Sequence, residues 1–358
     1  MWHKNFKING LDFKDAQAEA ESGRTAESDY FYDQVIKQAQ KLLDEFAVIE
    51  VQTSGSTGSP KMISLDREEL LAAADLTLAH FNLAPFSKVL LCLPITAISG
   101  LMMLVRALRG GLDLYVAKPD STPLSNFQHQ KEGFFDLVAL TPYQFAHSIN
   151  QLNLTNTVLV GGAPLLKEHI TAIPKRFNVQ VVESYGMTET LSHVALRRRH
   201  PRCEPHFSAI GEVRFSLGEE SNLIIHASHL KHSPFVTTDR VELKSDSAFG
   251  YLGRTDNAIN SGGIKFFAEQ IEGKIQPFLK ENFFIAGLPH ETLGEYVALI
   301  FEGQNPKRIA ELQQLLDQLN WMAYEKPKKI WGLKHFVYTA TQKIDRHSTL
   351  SLLNLQDT

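Results

Sequence analysis

From Val51 the chain runs Val51-Gln52-Thr53-Ser54-Gly55-Ser56-Thr57-Gly58-Ser59-Pro60-Lys61, a concentration of hydroxyls and glycines closed by a lysine. The apolar run Phe46-Ala47-Val48-Ile49-Glu50-Val51 precedes it, so a strand feeds a polar loop. Such a loop suits an anion. Glycines let backbone N–H groups turn inward, hydroxyls donate further bonds, and lysine adds a point charge. Taken alone, the segment also reads as a plain polar turn. The Walker A pattern does not fit, because it requires a second glycine and then lysine followed by Ser or Thr. Counting from Gly55, the chain supplies Pro60, Lys61 and Met62.

The complete T-S-G-S-T-G-x-P-K of residues 53–61 resembles the phosphate loop of the adenylate-forming superfamily, which comprises acyl- and aryl-CoA ligases, luciferases and peptide-synthetase adenylation domains. Later segments resemble that family in order. Gly161-Gly162-Ala163, after an apolar run, is similar to the turn whose backbone faces adenine, where a flat ring needs close approach. Ser184-Tyr185-Gly186-Met187-Thr188-Glu189-Thr190 is similar to the family's Y-G-M-T-E-T. The resemblance implies that Tyr185 stacks on adenine, Thr188 bonds the α-phosphate and Glu189 holds Mg²⁺. A hard dication of this kind takes a carboxylate together with waters and phosphate oxygens. Val236-Thr237-Thr238-Asp239 resembles T-G-D, with Thr238 in place of glycine and Asp239 kept for the ribose hydroxyls. In Gly253-Arg254-Thr255-Asp256 the resemblance puts Arg254 at the ribose and Asp256 at a hinge between domains. Lys265 stands at a cofactor-side position of the next motif, whose ending is Gln270-Ile271-Glu272. Thr339-Ala340-Thr341-Gln342-Lys343-Ile344-Asp345-Arg346 resembles the terminal motif, with Gln342 for glycine and Lys343 at the catalytic position.

Within the family, Ser261-Gly262-Gly263 and Pro94-Ile95-Thr96-Ala97-Ile98-Ser99-Gly100-Leu101 are similar to the o-succinylbenzoate–CoA ligases of menaquinone biosynthesis, although Ala97 replaces a histidine. The resemblance spans roughly residues 46–350 and implies an N-terminally shortened member, since only 52 residues precede Thr53. It implies ATP, Mg²⁺ and coenzyme A as cofactors and an acyl-adenylate route, with Lys61, Thr188, Glu189 and Lys343 catalytic. The expected partners are a small carboxylic acid, ATP and coenzyme A, with a homodimer as the candidate assembly. Arg106 lies seven residues after Ser99 in an otherwise apolar helix, so the two share a face. An arginine there costs desolvation unless it meets an anion. Ser99 and Arg106 are therefore the candidates for the acid's free carboxylate, with Ser192 a further candidate on the substrate side, while an arginine snorkelling to the surface or pairing with a local acid stays open. Two rival functions also stay open. One is an aryl-acid adenylating enzyme that loads a carrier-protein thiol; the other is a non-catalytic nucleotide-binding descendant.

Secondary elements must hold these positions. Apolar spacing predicts helices over 30–46, 67–81, 100–108, 269–279 and 306–319. Short apolar runs predict strands over 89–93, 112–116, 137–140, 158–160, 296–301 and 335–338, with residues 1–28 irregular. Strand–helix alternation implies a large layered α/β domain with a parallel sheet (1–255), including a β-rich section over 211–243. A small α+β domain (256–358) follows, which the resemblance implies is mobile. A length of 358 residues agrees with two domains. A net charge of -4 gives no reason to expect nucleic acid, and Cys92 and Cys203 have no partner spacing. No signal-like start and no apolar run long enough for a bilayer is visible, so the expected location is the cytoplasm.

Overall fold

The computed structural model describes residues 2–22, 27–52, 62–279, 281–338 and 344–353. Thr53, Ser54, Gly55, Ser56, Thr57, Gly58, Lys61 and Lys343 lie outside the described residues. The chain divides into two compact units, Met1–Arg214 with His226–Pro234, and Phe215–Ile225 with Phe235–Thr358.

Strands of the first unit are β1 (Lys7–Ile8), β2 (Leu11–Asp12), β3 (Ile49–Gln52), β4 (Met62–Leu65), β5 (Lys88–Leu91), β6 (Asp113–Val116), β7 (Phe135–Leu140), β8 (Thr155–Val160), β9 (Gln180–Gly186), β10 (His193–His200) and β11 (Phe207–Ala209). Its helices are α1 (Phe13–Glu21), α2 (Glu27–Leu43), α3 (Arg67–His80), α4 (Ile98–Gly110), α5 (Pro142–His147) and α6 (Lys167–Thr171). The strand order is β11-β10-β9-β8-β7-β5-β6-β1-β2. All neighbours from β9 through β1 are parallel, as the alternation implied. Central strands of such a sheet are covered on both faces and read as unbroken apolar runs. Accordingly Leu90, Phe135, Val138, Leu140, Val158, Val160 and Val181 share one core.

Helix α4 shows how sequence sets the frame. Gly100 is required because a Cβ there would stand 2.2 Å from the Pro94 carbonyl oxygen, so only glycine lets the helix start against that turn. Gly111, at φ 66°, ends the helix in the left-handed conformation that glycine adopts without a Cβ penalty. Packing then buries residues 100–108, Arg106 among them.

In the second unit the strands are β12 (Arg214–Leu217), which begins at the boundary, β13 (Asn222–His226), β14 (Phe235–Ser245), β15 (Ala248–Arg254), β16 (Ala258–Ser261), β17 (Ile264–Phe267), β18 (Phe283–His290), β19 (Gly294–Glu302) and β20 (Lys329–Leu333). Helices α7 (Ala268–Ile275), α8 (Pro306–Gln318) and α9 (Arg346–Leu350) accompany them. Strands β12 to β15 form a meander, and β17-β16-β19-β18, with β20 on β19, form a second layer. That layer carries one core with α7 and α8 and another with Phe336 and Leu353. The expected division at 255/256 falls inside this unit.

Two local expectations are corrected. Residues 2–22 are not irregular: β1 pairs with β6, Asn9 Oδ1 accepts the Val116 N–H and Asp113 accepts the Gly10 N–H. Two-residue strands are too short to show a period. The run 335–338 is not a strand either. The Phe336 N–H goes to Glu302 and the Val337 N–H to Thr349, so side chains take the bonds that a ladder would. The strand beside β19 is β20 instead.

Candidate functional site

Because β5, β7, β8 and β9 are parallel, the loops after them leave the same edge of the sheet. Order reverses at β5, which has β6 on one side and β7 on the other. Such switch points at the carboxyl edge are where open α/β sheets bind ligands. The segments that follow carry Ser99 in the first turn of α4 after β5, Gly161, Gly162 and Ala163 after β8, and Met187, Thr188 and Glu189 after β9. Gln144, which closes the capping box of α5, donates its side-chain amide to Cys92 O at 2.9 Å and Asp120 O at 3.0 Å, joining loops along this edge.

The glycines are explained by close approach. A Cβ on Gly161 would meet Ser184 Oγ at 2.4 Å, and Gly162 holds φ at +93°. Ser184 donates to Val160 O at 3.2 Å, so the two predicted turns touch. Gly186 pairs with His193, and a Cβ there would lie 2.3 Å from Ser192 O. Between them Thr190 folds the chain back: its hydroxyl oxygen accepts the Met187 N–H at 3.0 Å and lies 2.8 Å from Ser192 O. Leu191 N–H to Thr188 O at 3.0 Å completes the turn, with Leu191 at φ 59°. Thr188 is half-buried and Glu189 exposed at its tip. No group of three or more His, Cys, Asp or Glu side chains is placed to chelate a metal among the described residues. A single accessible carboxylate fits Mg²⁺, which keeps several waters and is shared with phosphate oxygens.

Sequence reading missed the residues that brace this turn. Glu183, 4% exposed, accepts the Leu165 N–H at 3.1 Å, just beyond the glycine turn. Its other oxygen takes Arg197 Nη2 at 2.7 Å and Arg199 Nη1. The Arg197 guanidinium lies 4.3 Å over the ring of Phe207, and Phe207 lies 5.8 Å from the ring of Tyr185. Phe207 thus backs the tyrosine expected to stack on adenine. An acid two residues before Tyr185 and alternate arginines on β10 were the available signal, since only pairing makes that pattern affordable in a core.

Arg106 and Ser192, which lie 86 residues apart, meet: Arg106 Nη2 donates to Ser192 Oγ. Arg106 is 4% exposed; among the described residues Nη1 finds only the Met103 sulfur, at 3.5 Å, and Nε has no partner. No carboxylate pairs with it among the described residues, and burial pulls its pKa down to about 10. It therefore stays charged at neutral pH. Ser192 in turn neighbours the buried His193, which Thr77 contacts from α3. Ser99 is exposed in the first turn of α4, whereas Arg106 is buried.

Other predicted positions gather in the second unit. Asp239 and Arg254 are paired across β14 and β15, their charged atoms 3.7 Å apart, with Asp239 buried. Asp256 takes Arg254 Nη2 at 2.5 Å, and the Thr238 hydroxyl is 3.5 Å from the same carboxylate. The threonine that replaces the motif glycine is thus tied to the expected hinge. Lys265 is exposed on β17. No helix among the described residues is long and apolar enough to cross a membrane.

Comparison with known proteins agrees with this arrangement. The family of AMP-binding enzymes matches residues 7–216. The 2-succinylbenzoate–CoA ligase of Listeria monocytogenes serotype 4b is 26% identical over 352 residues, covering 90% of this chain and 73% of that protein. Among solved structures, an acyl-CoA synthetase (AMP-forming)/AMP-acid ligase II-like protein from Dyadobacter fermentans is 32% identical, with a TM-score of 0.59 and coverage of 93% and 97%. The o-succinylbenzoate coenzyme A synthetase of Bacillus subtilis, in complex with ATP and magnesium, has a TM-score of 0.72 at 18% identity, covering 84% and 69%. A phosphate-loop signature ahead of a parallel sheet, two glycine turns at its carboxyl edge and a match over more than half the chain lead to one assignment: this chain belongs to the AMP-binding enzyme family.

Proposed function

We propose that the chain is an ATP-dependent acid–CoA ligase whose acid carries a second carboxylate, with o-succinylbenzoate in menaquinone biosynthesis the best-supported substrate. One observation carries the choice of acid. A buried, charged Arg106, without a carboxylate partner among the described residues, is bonded to Ser192, three residues past Glu189. An isolated buried cation is costly unless an anion meets it, and a dicarboxylic acid supplies that anion. The names of the relatives support the same acid.

In the first half-reaction a carboxylate oxygen of the acid attacks the α-phosphorus of ATP. The bond from that phosphorus to the bridging oxygen breaks, and pyrophosphate leaves. In the second, the thiol of coenzyme A attacks the acyl carbon, the acyl–oxygen bond breaks, AMP leaves and the thiol proton goes to solvent. Both reactants of the first step are anions, so catalysis is alignment and charge neutralisation. We assign the phosphates to Lys61 and the loop of Thr53, Ser54, Gly55, Ser56, Thr57 and Gly58. Gly161, Gly162, Ala163, Ser184, Tyr185, Gly186 and Met187 face adenine, Thr188 the α-phosphate, and Asp239 and Arg254 the ribose, with Lys265 on the same nucleotide. Mg²⁺, when bound at Glu189, supplies charge neutralisation to the phosphates. Lys343 serves the adenylation step, and a turn about Asp256 serves the thioester step. Biosynthesis from ATP and coenzyme A is chemistry of the cytoplasm.

The test is a screen of aromatic and aliphatic acids with ATP and coenzyme A, following AMP and thioester. o-Succinylbenzoate should give the highest kcat/KM, and Arg106→Ala should raise its KM at least tenfold. A preference for monocarboxylic acids, or a KM unchanged in that variant, would overturn the assignment of the acid.

A further inference from the structure

Thr77 on α3, Arg106 on α4 and His193 at the start of β10, all buried, form one file with the half-buried Ser192 just before that strand. His193 Nε2 lies 3.1 Å from Thr77 Oγ1, and Nδ1 lies 3.4 Å from Ser192 Oγ. The Thr77 hydroxyl also reaches Ala73 O, one helical turn back, at 3.3 Å. Only one placement of hydrogens fills every contact. A guanidinium only donates, so Ser192 Oγ accepts from Arg106 and directs its own hydrogen to His193 Nδ1. A carbonyl only accepts, so Thr77 sends its hydrogen to Ala73 O and accepts Nε2–H from His193. The ring is then the neutral tautomer with its proton on Nε2. The opposite tautomer leaves the Ser192 hydroxyl hydrogen without an acceptor among the described residues. A charged ring would place two donors on Ser192 Oγ and a second buried cation beside Arg106.

The file fixes one end of Arg106 and leaves the other available. Nη2 is held by Ser192, while among the described residues Nε has no partner and Nη1 has only a thioether. A guanidinium meets a carboxylate best through two parallel N–H groups, so its rotation decides whether that fork can form. We propose that His193 is a positioning residue for a dicarboxylic substrate: it accepts the Ser192 hydroxyl hydrogen, fixes Ser192 as an acceptor, and thereby sets the angle at which Arg106 meets the second carboxylate. Kept neutral, His193 also leaves the pocket with one positive charge for one negative group. The proposal rests on the reading of Arg106 given above.

Two measurements test it on the full chain. The first is the ¹⁵N spectrum of the His193 ring, assigned against His193→Asn. An unprotonated Nδ1 and a protonated Nε2 over about pH 6 to 8 are expected; the Nδ1–H tautomer or a charged ring overturns the proposal. The second compares a dicarboxylic acid with its monocarboxylic analogue in His193→Leu, His193→Asn and Thr77→Val, each first checked for a cooperative thermal transition. Leucine removes the acceptor and should raise KM for the dicarboxylic acid about tenfold, with its kcat and the KM of the monocarboxylic acid within twofold of the parent. Asparagine restores an acceptor near Nδ1 and should recover most of the loss. Thr77→Val, which keeps shape but removes the partner of Nε2–H, should shift KM the same way by a smaller factor. Equal effects on both acids, or no recovery with asparagine, mean simple packing and overturn the proposal. Arg106→Gln separates the layers. If it raises KM for the dicarboxylic acid while His193→Leu and Thr77→Val do not, the positioning role alone falls. If it changes neither acid, the reading of Arg106 falls as well.

Discussion

Glu183 accepts the backbone N–H of Leu165 at 3.1 Å, tying the glycine turn after β8 to the strand that carries Tyr185. The same buried carboxylate holds Arg197 and Arg199, so one side chain sets both a turn and the arginine that lies over Phe207. Removing one partner of a buried ion pair strands the others and costs about 3–5 kcal/mol. Glu183→Ala should lose stability on that scale in urea denaturation. In whatever folded fraction remains, KM for ATP should rise more than KM for the acid, because the turns expected at adenine are what loosen. Glu183→Gln keeps an acceptor for Leu165 and should lose less. An alanine variant as stable as the parent would show that the three charges are not mutually dependent.

Gly186 faces Ser192 O and His193 Cα at distances where a Cβ would sit at 2.3 and 2.7 Å. Both obstacles are backbone, so they cannot turn aside. Gly186→Ala should therefore cost about 2 kcal/mol or more, seen as a lower melting temperature. At Gly161 the obstacle is the Ser184 hydroxyl, whose rotation gives up a single bond to Val160 O. Gly161→Ala should be the milder change, by roughly 1 kcal/mol. The reverse order would contradict the close approach described at Gly186.

Much of this was legible beforehand and the remainder has a physical reason. Helices α3, α4 and α8 showed 3.6-residue spacing, so their positions agree with expectation to within a few residues. The parallel core strands were plain as apolar runs. What escaped was long-range or very short. Pairing of β1 with β6 joins segments about a hundred residues apart through two residues each, which no local period records. The contact of Arg106 with Ser192 was half legible: a charge in an apolar helix demanded a partner, but which residue it was depended on the fold bringing the turn before β10 onto α4. Glu183 went unremarked because its meaning lies in arginines across a strand pair.

Burial lowers the pKa of His193 well below 6.5, with the nearby Arg106 and His80 adding to it, and burial also lowers His80, His169, His200 and His229. For each, the unfolded chain binds a proton at a higher pH than the folded chain does. Below about pH 6.5 the unfolded state takes up more protons, so stability is full above that value and falls as pH drops. Each proton of difference contributes a slope of about 1.4 kcal/mol per pH unit. Thermal melts between about pH 5 and 7 should climb with pH, and His193→Asn should flatten the climb by the share of the most deeply buried ring. A parent curve that falls over this range would mean that these rings carry their protons when folded.

Lys343 lies outside the described residues, so its role stands on the order of motifs alone. Its neighbours give that order a frame: Ile344 bridges Tyr338, Asp345 caps α9, and Arg346 bonds Glu272 at 2.9 Å. The described residues that follow the lysine are therefore held in place. A cation delivered there matters only when charge builds at the α-phosphorus, in the adenylation step. Lys343→Ala should abolish acid-dependent pyrophosphate exchange, by about a thousandfold, while thioester formation from preformed acyl-adenylate falls less than tenfold. Asp256→Pro should give the opposite pattern: it removes the carboxylate held by Arg254 and Thr238, fixes the backbone at the proposed hinge, and should keep exchange while losing thioester synthesis. Equal loss of both half-reactions in the lysine variant would mean that Lys343 supports the fold or the nucleotide rather than the adenylating step.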